Sequence, residues 1–205
     1  ALNGSFDDCQ NLVKKLFKDK NLNETFSFTA VNSINWFRVL PQSIYYAWSY
    51  LNCNIDNFVV PSGNFGNIYS AYLLKSMGFP INKLIVATNE NNILHRIISN
   101  NDLHLYNVVK TNSPSMDITI SSNFERLLAE FLGPDSTKEL FQNIPNNEHN
   151  KKLDSSIHNL LSENFLSENA TSEEVENQIK NTYENYNILL DPVSYTHLRA
   201  HETSG

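Results

Sequence analysis

Cysteine is scarce in this 205-residue chain: Cys9 and Cys53 are the only two. That is too few for a disulfide framework, so a reducing compartment, the cytoplasm, is the simpler expectation, with Cys9 expected as a buried helix residue. Long apolar runs are missing too. None approaches the length of a bilayer-spanning helix, and the first residues carry neither the basic region nor the apolar core of a signal peptide. Positive charge is in deficit, with 15 Lys+Arg against 22 Asp+Glu for a formal net charge of -7. The basic residues form no stripe, which argues against a broad electrostatic surface for nucleic acid. Any cation that binds an anion must therefore act locally. No Ser/His/Asp triad, metal-ligand cluster or paired-carboxylate spacing stands out, and no metal is expected. What is present, 40% hydrophobic and 11% aromatic residues, suffices for one sizeable core or two small ones.

Glycine is also rare, at six residues, and two of the six fall close together in Val59-Val60-Pro61-Ser62-Gly63-Asn64-Phe65-Gly66-Asn67-Ile68. An apolar strand delivers the chain to a glycine-spaced loop, and an apolar-periodic helix opens directly after it. Gly63 and Gly66 are expected to let the backbone approach a ligand, while the helix start offers unpaired N–H groups to an anion. This is the pattern of a phosphate cradle. It lacks the Gly-Lys-Ser/Thr ending of a nucleotide P-loop and the Gly-x-Gly-x-x-Gly of a dinucleotide site. A strand-to-helix turn with no ligand is the alternative.

Around this loop the pattern is α/β. Asp7 or Asp8 is placed to cap a helix with Leu12, Val13, Leu16 and Phe17 on one face. A second helix follows Ser33, with Phe37, Leu40, Ile44, Ala47 and Leu51 at alternating steps of three and four and a kink expected at Pro41. Phe58 to Val60 and Leu84-Ile85-Val86-Ala87 read as parallel strands flanking a helix that Gly78 and Pro80 end. That βαβ arrangement puts the Gly63 loop and the Thr88-Asn89-Glu90-Asn91 turn on one sheet edge. Ser122-Asn123-Phe124-Glu125 fits a capping box, with Phe124, Leu127, Leu128 and Phe131 as the stripe of its helix, which Gly133-Pro134 ends. From about Asp135 the chain turns polar and asparagine-rich. Helices are expected around Ile157 to Phe165 and after a second capping box at Thr171-Ser172-Glu173-Glu174, as an appended helical region rather than sheet.

A second constellation, Asn32-Ser33-Ile34-Asn35-Trp36-Phe37-Arg38, sets a hydroxyl, two amides and a guanidinium within about two helical turns. Forked guanidinium donors match phosphate oxygens, and Ser33 with the first helical N–H groups adds neutral ones. Ser33 as a plain N-cap and Arg38 as a surface ion-pair partner is the competing explanation. His95 is expected to be a satisfied histidine, and Asp117 to serve turn chemistry or point into a site. Val193 to Thr203 resembles the translation of transposase adapter DNA used in sequencing libraries. The terminal stretch 193–205 is therefore expected to be extraneous, although His197 and His201 have the spacing of a helical metal pair. The opening Ala1-Leu2-Asn3-Gly4 reads as the end of a strand, so the chain is expected to be cut from something longer.

Gly4-x-Phe6-Asp7-Asp8-Cys9-Gln10, Asn32-Ser33-Ile34-Asn35-x-x-Arg38, Pro61-Ser62-Gly63-Asn64-Phe65-Gly66-Asn67, Ala87-Thr88-Asn89-Glu90-Asn91 and Ser113-Pro114-Ser115-Met116-Asp117-Ile118 through Ser122-Asn123-Phe124-Glu125-Arg126 together resemble the threonine synthase family, in order and spacing. The resemblance runs to Leu189-Leu190-Asp191-Pro192. It implies a fold-type II pyridoxal-phosphate enzyme of the tryptophan-synthase-β-like kind: a parallel or mixed sheet with flanking helices, plus the appended helical region. Residues 1–30 would end the small domain, 31–134 form part of the large cofactor-binding domain, and 135–192 a truncated family-specific region. The implied reaction converts O-phospho-L-homoserine and water to L-threonine and phosphate, by γ-elimination and β-hydration. By the same resemblance, Gly63, Asn64, Phe65, Gly66 and Asn67 hold the phosphate of pyridoxal 5'-phosphate, while Ser33, Arg38 and Asn64 hold that of the substrate. By the resemblance, the family's Schiff-base lysine is expected in a Phe-Lys-Asp segment upstream of this chain and the partner of its pyridine nitrogen downstream, so the chain alone is expected to be inactive. Two rivals stay open: another enzyme of the same fold, such as threonine dehydratase or cysteine synthase, and a non-catalytic phosphate-binding α/β module.

Overall fold

A computed structural model describes residues 6–29, 31, 33, 35–144 and 152–203. In chain order the elements are α1 (Phe6–Lys18), α2 (Lys20–Thr25), α3 (Trp36–Val39), a 3-10 turn (Leu40–Gln42), α4 (Ser43–Cys53), β1 (Asn57–Pro61), α5 (Gly66–Ser76), β2 (Lys83–Thr88) and α6 (Ile93–Asn100). A second 3-10 turn (Pro114–Met116), α7 (Ser122–Leu132), α8 (Pro134–Asn143), α9 (Ser155–Asn164), β3 (Phe165–Asn169), α10 (Ser172–Tyr186) and α11 (Pro192–Thr203) complete them. Ala1 to Gly4, Asn32 and Ile34 lie outside the described residues.

The three strands form a parallel sheet in the order β1-β2-β3, with Val60 opposite Val86 and Leu84 opposite Phe165. The central strand β2 is buried from Leu84 through Thr88, as an unbroken apolar run flanked on both faces must be. Helices α9 and α10 lie where the polar region was expected to be helical, and Thr171 and Glu174 do form the capping box. The same region, expected to be helical rather than sheet, also supplies β3, and Phe165, expected to end a helix, opens the strand. Five residues flanked by Ser, Glu and Asn carry too little pattern to announce a strand. Its place comes from pairing with β2 and from burying Phe165 and Ser167.

Pro41 breaks the second helix as its missing N–H requires, and the chain restarts as α4. The face it buries is not the expected one. Phe37, Ile44 and Leu51 are 82%, 64% and 72% exposed, while Val39 and Tyr46 turn inward. Aromatic contacts decide the rotation: Tyr46 meets Phe58 edge-on at 4.9 Å, and Tyr50 meets Phe79 at 5.2 Å. Helix α1 contains Asp7 and Asp8, so neither is its cap. Its stripe of Leu12, Val13, Leu16 and Phe17 is exposed, and Cys9 is exposed too, contrary to the buried position expected of it. Residues of the terminal stretch form most of α11, whose Tyr195 is fully buried against Ala170 and Val175.

Candidate phosphate-binding site

The loop after β1 is tied down at both ends. The Ser62 N–H donates to the Ala87 carbonyl at 2.8 Å, extending β1 along β2, and Ser62 Oγ accepts from the Phe65 N–H at 3.1 Å. Phe65 itself takes the left-handed conformation, with φ 61°. For a bulky residue this is an outlier that costs about 1–2 kcal/mol. Its ring is fully buried and meets Phe124 at 5.4 Å and Phe165 at 5.3 Å. Burying a phenylalanine side chain is worth about 1.5–3 kcal/mol and each aromatic pair about 0.5–1.5 more, so the packing outweighs the strain.

The glycines serve a different purpose from the one their permissive backbone suggested. Neither Gly63 nor Gly66 has positive φ. A Cβ at Gly63 would stand 2.9 Å from Met116 Cα, and one at Gly66 would stand 3.1 Å from Ser33 Cβ and 3.2 Å from Asn123 Nδ2. They are small so that the second 3-10 turn, Ser33 and α7 can close on the loop. Beyond them, α5 starts with no side-chain cap on Phe65, its N-cap residue. The first-turn N–H groups of Gly66, Asn67 and Ile68 thus remain without intrahelical acceptors and carry the positive end of the helix dipole, the arrangement that receives an anion.

Asn64 is the node of the site. Its Nδ2 donates to Ser33 Oγ at 2.6 Å, and its Oδ1 accepts from the Ser122 N–H at 2.8 Å and Ser122 Oγ at 2.6 Å. Its carbonyl accepts from Asn123 Nδ2 at 3.1 Å. Asn67 is held on the outer side: Tyr46 Oη donates to its Oδ1, and its own Nδ2 donates to Gln42 Oε1 at 3.0 Å. Burial pushes the Tyr46 phenol well above the usual tyrosine range, so it stays a donor across the working pH range. Arg38 is exposed in the last turn of α3 and faces no carboxylate at ion-pair distance among the described residues. Helix α3 is braced on α5 by the edge contact of Trp36 with Tyr69 at 6.2 Å.

Asp117 is absorbed by a polar network that ties the end of the second 3-10 turn to Thr111 and to the turn after β2. It accepts from Asn89 Nδ2 at 2.8 Å, Asn91 Nδ2 at 2.9 Å, Thr111 Oγ1 at 2.6 Å and the Thr111 N–H at 2.9 Å. That network holds the Met116 backbone against Gly63. His95 is satisfied as expected, its Nδ1 lying 3.2 Å from Ser167 Oγ on β3. Sequence reasoning missed Ser122 and Asn123. The sequence pattern makes Ser122 a capping residue, whereas Ser121 occupies the N-cap position and Ser122 Oγ is spent on Asn64. The only signal was a pair of adjacent serines at the helix start, neither of which caps the helix through its side chain.

At the same sheet edge lies a cleft of about 310 Å³, lined by Glu90, Asn91, Arg96 and Tyr106 among others. Its arginine is already engaged with Asn92, Asp102 and the His104 carbonyl. Among the described residues no group of three His, Cys, Asp or Glu could hold a metal ion, and the side chains of His197 and His201 lie outside those described.

A parallel sheet with flanking helices and a strand–loop–helix turn at its carboxyl edge is the architecture of the fold-type II pyridoxal-phosphate enzymes, and the structural neighbours agree on the fold. The threonine synthase of Brucella melitensis, solved with pyridoxal phosphate bound, superposes with a TM-score of 0.88 at 38% identity, covering 99% of this chain and 45% of that one. The yeast threonine synthase structure gives 0.83 at 40% identity over 98% of this chain and 43% of that one. Maize serine racemase, at 13% identity and a TM-score of 0.54, shares the fold alone. In sequence, the threonine synthase of Saccharomyces cerevisiae is 42% identical over 94% of this chain and 41% of its own length. That of Pseudomonas aeruginosa is 47% identical over 65% and 29%. No family model matches the chain. This stretch of chain belongs with the threonine synthases, of whose length it spans less than half.

Proposed function

We propose that the protein containing this chain is a pyridoxal-phosphate-dependent lyase that converts O-phospho-L-homoserine and water to L-threonine and phosphate in the cytoplasm. The observation that carries the reading is the pairing of two anion-binding features within one constellation. The uncapped start of α5 offers backbone N–H groups, and Asn64 links that loop to Ser33 at 2.6 Å, just ahead of Arg38. Two phosphates, one on the cofactor and one on the substrate, match two such features. The residues present fit the cofactor phosphate, because Gly66, Asn67 and Ile68 offer N–H groups at a helix start that no side chain of the N-cap residue closes.

When bound, the pyridine ring supplies an electron sink for the substrate's carbon skeleton. The chain's own part is to bind and orient. Gly63, Asn64, Phe65, Gly66 and Asn67 fix the cofactor phosphate. Ser33, Asn64 and Arg38 grip the substrate phosphate, so that the γ-carbon–oxygen bond is held for cleavage and charge on the departing phosphate is neutralised as it grows. A dehydratase or cysteine synthase acts on substrates without that ester and has no use for this second grip. The lysine that would bind the cofactor covalently is expected outside this chain. Two assays check the reading together: the full-length protein forms threonine and releases phosphate from phosphohomoserine, and the 205-residue chain alone forms none. Full-length protein that binds phosphate without turnover would favour the binding module instead.

A further inference from the structure

We infer that Ser122 is a positioning residue for the substrate-phosphate grip, acting through Asn64 to set the direction in which the Ser33 hydroxyl donates. The inference rests on the reading of Ser33 as a phosphate ligand. Its geometry is a chain of three hydrogen-bonded groups whose polarity is fixed at one end.

A backbone N–H can only donate, so the Asn64 atom 2.8 Å from the Ser122 N–H must be the carboxamide oxygen. Ser122 Oγ, 2.6 Å from the same oxygen, donates as well. With its oxygen claimed twice, Asn64 must present its NH2 to Ser33, whose Oγ lies 2.6 Å away and therefore accepts. Ser33 Oγ then keeps its own proton, which has no acceptor among the described residues. The relay thus ends in a hydroxyl donor at the substrate-phosphate side. If the amide were reversed, Ser33 would donate to Asn64 and turn a lone pair toward the anion.

The relay starts at the N-terminus of α7, an eleven-residue helix whose first-turn N–H groups need external acceptors. Ser122 is its first residue, and Ser121 makes no side-chain cap. Asn64 therefore takes up part of what a cap would do, and aligned hydrogen bonds polarise one another in the sense that strengthens the terminal donor. Asn123 completes the clamp by donating to the Asn64 carbonyl at 3.1 Å, which fixes the backbone from which the carboxamide swings.

The test uses the full-length holoenzyme with Ser122→Ala, Ser122→Thr and Ser33→Ala variants. Inorganic phosphate is titrated calorimetrically, and KM, kcat and cofactor affinity are measured alongside. Ser122→Ala keeps the backbone N–H but removes the second donor that pins the Asn64 oxygen, and should weaken phosphate binding and raise KM for the phosphorylated substrate by about 5- to 10-fold, the effect of one lost hydrogen bond, with kcat and cofactor affinity close to unchanged. Ser122→Thr, which keeps the hydroxyl, should restore both. The relay is overturned if Ser33→Ala weakens phosphate binding while Ser122→Ala leaves it intact, or if threonine fails to rescue. Should Ser33→Ala itself leave phosphate binding unchanged, the assignment of the grip fails and the relay with it. A measurement on the unmodified protein stands apart from any folding defect. One Asn64 side-chain amide proton should exchange slowly and shift on addition of phosphate, and fast exchange insensitive to phosphate would refute the relay.

Discussion

Phe65 sets the shape of the site by holding a left-handed backbone against the preference of its own side chain. Substituting Phe65→Gly relieves the strain, worth about 1–2 kcal/mol, but deletes a buried ring, worth about 3–5 kcal/mol. The expected net loss of stability is about 1–4 kcal/mol by urea denaturation, and a neutral result would mean the Phe124 and Phe165 contacts do not hold the loop. Arg38 tests the chemistry rather than the shape. On the proposed reading of Arg38 as a ligand of the substrate phosphate, Arg38→Ala removes a charge-assisted hydrogen bond worth about 1.5–3 kcal/mol, and kcat/KM of the full-length protein should fall by about 10- to 100-fold. At this scale the sequence made the loop legible because glycine is rare in it and two glycines stood together. The reason for each glycine was not legible. Met116, Ser33 and Asn123 approach from remote parts of the chain, and no local pattern announces which neighbour will crowd a backbone.

Among the elements, two stretches with the same capping signature meet different fates. Thr171 and Glu174 close a box on α10, and Thr171→Ala should lower stability by about 1 kcal/mol in thermal or denaturant unfolding. Ser122 forms no such box, so a stability loss with unchanged phosphate binding is the wrong signature for it. Helix α6 carries the pH-sensitive contact. Burial alone would raise the Asp102 carboxyl, but the His104 N–H and the Arg96 guanidinium, 2.7 Å away, outweigh it and hold it below the usual carboxylate range. A depressed folded value means its contribution is present above the unfolded value of about 4 and is lost as pH falls through the folded one. Asp102→Asn should therefore destabilise at pH 7 and approach the parent protein in strongly acidic buffer. Helix positions were legible wherever apolar periodicity was strong, as in α6 and α7. Which face of α4 turns inward was not, because Tyr46 and Tyr50 find ring partners in Phe58 and Phe79 that only the tertiary arrangement supplies.

Across the whole molecule, apolar surface is left open on α3 and α4, where Phe37, Ile44, Trp48 and Leu51 are each at least 60% exposed. An exposed patch of large side chains should bind an apolar dye. Leu51→Glu should reduce that binding while changing stability by no more than about 0.5 kcal/mol, since the side chain contributes little burial to lose. The sheet has a temporal consequence as well. Thr88 reaches the β3 backbone at Glu168, 80 residues further along the chain. Closing so long a loop is entropically costly, and such pairings are slow to form. As the polypeptide leaves the ribosome, the loop of Gly63 to Asn67 emerges well before Phe165, the ring that completes the packing around Phe65. The candidate anion-binding loop is therefore among the earlier parts of this chain to be synthesised and among the later to become rigid.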